Sequence, residues 1–90
     1  MRNYGMRTFN NINKSRVDAI LKALRDHGAL ATGNNPWIVD TRHHGVLLQG
    51  TWNDETSELS ITVIDADWYV SQTKIWENIE SLMQIAHEAA

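Results

Sequence analysis

Between residues 15 and 27 the apolar side chains recur three and four apart. Val17, Ile20, Leu21 and Leu24 fall at i, i+3, i+4 and i+7, one face of a helix. Ser15 suits the N-cap, with Asp18 three residues on near the positive helix end. Lys22, Arg25 and His27 suit the C-terminal end, and Gly28 the left-handed position after it. The pattern predicts a helix over 15–27. A second helical stripe follows near the C-terminus, capped by Ser71 or Thr73. Its inner face is Ile75, Ile79, Leu82, Met83 and Ala86, with Trp76 on the flank. Its wet face is Glu77, Glu80, Gln84 and Glu88.

Between the helices the period changes to two. Gly33-Asn34-Asn35-Pro36 is a turn cluster, and Trp37-Ile38-Val39 starts a strand. Arg42 to Gly45 reads as a hairpin loop, and Val46 to Trp52 as the return strand. Residues 53–57 are polar, and Leu59 to Ile64 alternates with β-branched residues, a third strand. The expected order is α-β-β-β-α. Short loops favour antiparallel neighbours, so the class is α+β: a three-stranded antiparallel meander with two helices packed on one face. Parity points Trp37, Val39, Val46, Leu48, Trp52, Leu59, Ile61 and Val63 toward the helices. The loop lengths set Gly50 opposite both Trp37 and Ile61, a gap for a large ring to fill.

Residues 1–14 read as an N-terminal arm ahead of a single domain over 15–90. Tyr4, Met6 and Thr8 alternate with Gly5 and Arg7, the pattern of a short edge strand, and Phe9 and Ile12 are apolar. The sheet face away from the helices carries Ile38, Leu47 and Ile64, with Leu47 expected between Asp40 and Ile64. Three aliphatics there predict a cover: a second copy of the chain, the arm at Tyr4, Met6 and Phe9, or a partner.

Charge sharpens this picture. The net charge is -3 and the pI about 5.7, unevenly spread. Residues 1–25 hold six Lys and Arg against one acid, and residues 26–90 hold two against ten. The basic part suits phosphate and the acidic part a basic partner, unless the two neutralise each other. The absence of cysteine excludes a disulfide framework, a thiolate zinc site and a cysteine nucleophile. No apolar run reaches the roughly 18–20 residues of a membrane span, and Met1 to Gly5 lacks a signal-peptide core. A cytoplasmic protein is expected.

Candidate chemistry is sparse. His43 and His44 are adjacent near Asp40, a solvated hairpin tip rather than a metal site, since adjacent strand residues face opposite ways. Asp65-Ala66-Asp67 suits a hard cation or a turn before the second helix. No nucleophile elbow, phosphate loop or partnered carboxylate pair is present, so neither an enzyme nor a cofactor or metal site is expected. Four Trp are a heavy load for 90 residues. Trp37 is expected buried, Trp52 and Trp76 partly buried, and Trp68 with Tyr69 open to a partner.

The α-β-β-β-α order over 15–88 resembles that of the double-stranded RNA-binding domain, in element order only. That family uses lysines at the start of its second helix, and its first helix and first hairpin loop enter a minor groove. Here the second helix opens Thr73-Lys74-Ile75-Trp76-Glu77, with one Lys. Arg42, His43 and His44 stand in the hairpin loop, and Arg16, Lys22 and Arg25 on the first helix. The layout is also similar to that of small acidic inhibitors from phages and mobile elements, and no single family is identified.

The leading expectation is a small non-catalytic interaction module that regulates, adapts or inhibits by binding another protein. Trp68, Tyr69, Ile38, Leu47 and Ile64 would carry the contact, with a homodimer through the open sheet face. The alternative is nucleic-acid binding through Arg2, Arg7, Lys14, Arg16, Arg42 and His43.

Overall fold

The computed structural model describes residues 5–89, with side chains through Gln84. Seven elements follow one another among these residues: β1 (Met6–Phe9), α1 (Lys14–Asp26), β2 (Leu30–Gly33), β3 (Trp37–Asp40), β4 (Leu47–Asn53), β5 (Glu58–Asp65) and α2 (Gln72–Ala89). All strand pairs are antiparallel, and the sheet order is β1-β5-β4-β3-β2. The class is α+β as expected, but the sheet has five strands, not three. The edge pattern in the arm is real: Met6–Phe9 pairs with β5. The segment before the turn cluster, Leu30–Gly33, is a strand as well.

The two added strands have a packing reason. Strands lie about 4.8 Å apart and a helix with side chains is about 10 Å wide. Two helices side by side therefore need roughly 20 Å of floor, which three strands do not supply and five do. β1 extends the floor past β5, and Trp76 of α2 is buried rather than on a flank. Arg7 of β1 crosses over the Trp76 ring, 4.9 Å from its centroid, and pairs with Glu80.

The helix ends are set by local bonds. Asn13, not Ser15, caps α1: its Oδ1 accepts the Arg16 N–H at 2.9 Å. Ile12 just before it is buried and donates its N–H to the Ser57 carbonyl at 2.8 Å, so the chain is already anchored there. At the other end the Gly28 N–H reaches the Arg25 carbonyl and the Ala29 N–H the Leu24 carbonyl, with Gly28 at φ +88°. That is a Schellman closure, and it turns the chain directly into β2. Ser71 caps α2, its Oγ accepting the Lys74 N–H at 3.1 Å.

The central register is the expected one. Gly50 pairs with Trp37 on one side and Ile61 on the other. Val39, Leu48, Leu59, Ile61 and Val63 are buried beneath Val17, Ile20, Ile75 and Ile79. Trp37 is only half-buried, and it lines the space over Gly50 without filling it. A partly open space of about 50 Å³ remains there, between the sheet and both helices. Trp52 is half-buried, and its indole N–H donates to the Ile12 carbonyl at 2.8 Å.

One register detail differs. Leu48 pairs with Val63, but Leu47 pairs with Asp65, not Ile64. Ile64 is the extra residue of a β-bulge, which bends β5 as it leaves the sheet.

Candidate interaction face

The helices cover one side of the sheet, and the ladder pairs define the residues on the other. Met6 pairs with Thr62 and Thr8 with Ser60; Leu30 pairs with Asp40 and Thr32 with Ile38; Ile38 also faces Gln49. Met6, Leu30, Ile38 and Ile64 are 61%, 48%, 41% and 45% exposed, and Leu47 is half-buried among them. Between these aliphatics lie Thr, Ser and Gln, with Thr8 and Ser60 hydroxyls bonded across the strands at 3.0 Å. Among the described residues no Lys or Arg stands on this face; its acids Asp40, Glu58 and Asp65 lie at strand ends, with Asp40 and Asp65 on either side of Leu47. Arg7 is on the helix side, opposite Ile61. Met6–Phe9 therefore joins the sheet as β1 rather than lying over the face, and Phe9 turns toward the helix side beside Leu59, while Tyr4 lies outside the described residues.

At one end of the sheet stands an aromatic cluster. Trp68 and Tyr69 are 76% and 59% exposed, edge-to-face at 5.8 Å. Tyr69 also meets the His44 ring edge-on at 6.0 Å. Its hydroxyl donates to Asp67 Oδ2 at 3.1 Å, and Asp67 donates its backbone N–H to the His44 carbonyl at 2.9 Å. That hydrogen bond, the Asp67 charge and slight desolvation hold the Tyr69 phenol above its ordinary value of 10.0. The two carboxylates singled out in the sequence thus make turns and contacts: Asp65 Oδ1 accepts the Ala66 N–H at 2.9 Å, and Asp67 holds Tyr69. Among the described residues no three His, Asp or Glu side chains gather as a metal would require.

The loop from Thr41 to Val46 is tightly shaped. Arg42 and His44 have φ of 60° and 55°, and Gly45 of 65°. A Cβ on Gly45 would strike the Asp67 carboxylate, so glycine is required there. Asp40 Oδ1 accepts the Arg42 N–H, and Thr41 Oγ1 donates to the Val46 carbonyl at 3.0 Å.

The basic residues do not converge. Arg7 is paired with Glu80, and Lys14 with Asp18 at 3.7 Å. Arg16 reaches the Asn11 carbonyl at 2.8 Å, near the β4–β5 turn. Arg42 and His43 stand in the β3–β4 loop, at the other end of β4, roughly 20 Å away along the strands. Arg2 lies outside the described residues. Leu30 also belongs to the open face, and sequence reasoning misses it because its short strand carries no periodic signal.

Compared with known proteins, the chain matches no family model, no curated protein and no solved structure. The element order β-α-β-β-β-β-α also departs from the α-β-β-β-α order that carries the resemblance to the double-stranded RNA-binding domain. No helix among the described residues is long and apolar enough to cross a membrane.

Proposed function

We propose that the chain is a small non-catalytic interaction protein. Its open sheet face is covered by a second copy, and the Trp68–Tyr69 end is presented to another protein. One observation carries the reading: a five-stranded sheet face with exposed aliphatics and, among the described residues, no cation. Stacking this face on its own copy desolvates no charge at the centre. Its acids stand at the border, where they stay hydrated. A two-fold axis through the sheet makes the contact self-complementary, and two such sheets pack about 10 Å apart. Aromatic side chains left exposed beside such an interface have the composition of binding hot spots.

The solution mass tests the assembly. Light scattering on the wild type should give twice the 10.3 kDa chain mass. Leu47→Asp adds a third carboxylate beside its ladder partners Asp40 and Asp65 and should halve that mass with the far-ultraviolet spectrum kept. A monomeric wild type overturns self-assembly. Trp68→Ala should leave the dimer mass intact while abolishing capture of the protein partner from its native cell. A wild-type bait that recovers only itself overturns the partner.

A further inference from the structure

On the helix side, residues of α1, α2 and the β3–β4 loop border a common space. A cleft of about 380 Å³ opens between them. It is lined by Val46 just before β4 and Leu48 of β4, by Leu24 of α1, and by Ile75, Ile79 and Leu82 of α2. Leu24, Leu48, Ile79 and Leu82 also line the void over Gly50, so the cleft leads down to that space through shared walls. Its volume is in the range of small-molecule sites, and its inside is apolar as theirs are.

The rim has a different chemistry. Lys74 stands in the first turn of α2, and His27, His43 and His44 also border the cleft. Asn78 and Ser81 add neutral polar groups. Among the described residues no Asp or Glu lines the cleft, in a chain with more acids than bases. Two of the histidines reach it because the loop is not a strand. With Arg42 and His44 at positive φ, adjacent His43 and His44 both border the same space instead of pointing to opposite faces. Lys74 is thus the one formal charge among the described lining residues, Asp67 standing behind the loop against Gly45, and imidazoles supply further N–H donors.

We propose that this cleft binds a small amphipathic anion: an aliphatic chain bearing one carboxylate. The chain lies on Leu48, Ile79 and Leu82 and points toward the void. The carboxylate meets Lys74 and the histidine N–H groups at the rim. The site lies on the helix side of the sheet and is independent of the face that covers itself in the proposed dimer.

Octanoate is the probe, with octanol and octylamine as neutral and cationic counterparts of the same chain. Titration calorimetry on the full chain should show saturable octanoate binding at one site per chain. Methyl signals of Leu24, Val46, Ile75 and Leu82 should shift. Octanol should bind more weakly, and octylamine most weakly. Lys74→Glu should weaken octanoate by at least ~10-fold, the scale of one charge-assisted hydrogen bond. Ser81→Trp, which fills the cleft from an exposed position, should abolish it while leaving the circular dichroism unchanged. The proposal is overturned if octanoate does not saturate, or if octylamine binds as tightly. It is equally overturned if neither substitution changes the affinity. Solution mass is indifferent to all of these outcomes, so failure here is separable from failure of the dimer.

Discussion

Two glycines of the same sheet should respond to alanine with opposite signs. Gly50 sits at mid-sheet with its core side toward a partly open space of about 50 Å³. A Cβ built there meets a single neighbour within 4 Å, Leu59 Cδ1 at 3.9 Å, an ordinary contact. Gly50→Ala removes backbone freedom from the unfolded chain, worth about 0.4–1 kcal/mol. The added methyl gains up to ~0.8 kcal/mol on burial. The sum is a stabilisation of about 0.4–1.8 kcal/mol, which in a domain of this size raises Tm by roughly 2–14 °C. Gly33 is the control. Its φ is +85°, and a Cβ would lie 2.9 Å from the Pro36 carbonyl oxygen, a backbone atom with little room to give. Left-handed backbone costs a side-chain-bearing residue about 1–2 kcal/mol, so Gly33→Ala should destabilise by at least that. Urea and thermal unfolding, followed by circular dichroism and Trp fluorescence at one protein concentration, measure both. The concentration is fixed because self-association would shift either midpoint. If Gly50→Ala is neutral or destabilising while Gly33→Ala behaves as stated, the space over Gly50 is filled in solution. Trp37 or a helix side chain then closes the gap, and the core has no void there.

The cap of α1 gives a second contrast: Asn13→Ala should cost about 1 kcal/mol in urea unfolding, and Ser15→Ala close to nothing, because only Asn13 accepts a helix N–H. In a Tyr4→Phe background the phenolate absorbance should titrate above 10.0, and Asp67→Asn should bring it down toward that value. Because the folded phenol is held above its unfolded value, its contribution to stability is present below the unfolded value and lost as pH rises through the folded one. A titration unmoved by Asp67→Asn would mean that the Tyr69–Asp67 bond does not persist in solution.

Much of the helix-side core is legible in the sequence because it rests on parity. Once Trp37, Leu48 and Ile61 are placed inward, loop lengths alone bring Gly50 between Trp37 and Ile61, and the ladder does the same. What escapes lacks a periodic signal. Leu30-Ala31-Thr32-Gly33 is four residues long and runs into a glycine turn, so it reads as loop. Tertiary context makes it a strand. The Schellman closure at Gly28 aims it along β3, and the Asn35 amide beyond the turn exchanges two bonds with the Trp52 backbone, at 2.8 and 2.9 Å. The bulge at Ile64 inserts one residue without marking it, which moves Leu47 from Ile64 to Asp65. Width is the missing signal. Two amphipathic helices require a broader floor than three strands provide, and that follows from the helix stripes alone.

The open face and the cleft have a common origin in where the chain can put charge. In a two-layer domain, alternate strand residues on one side go to the core, and here the other side received Thr, Ser, Gln and aliphatics. Charged side chains were then left to the helix surfaces, the loops and the strand ends. Two of the helix cations pair with acids one turn away, Lys14 with Asp18 and Lys22 with Asp26, and Glu80 of α2 pairs with Arg7 of the neighbouring strand. Exposed pairs of this kind add little stability but cancel local potential. Lys74 differs in lying on a cleft that no described acid lines. The acidic average of the chain therefore hides one place where an anion meets a cationic rim and an apolar floor together. The face that could bind an apolar surface, in contrast, carries no cation among the described residues. An apolar anion is directed by these fields to the helix side and an uncharged protein surface to the sheet side, with the sheet itself between them.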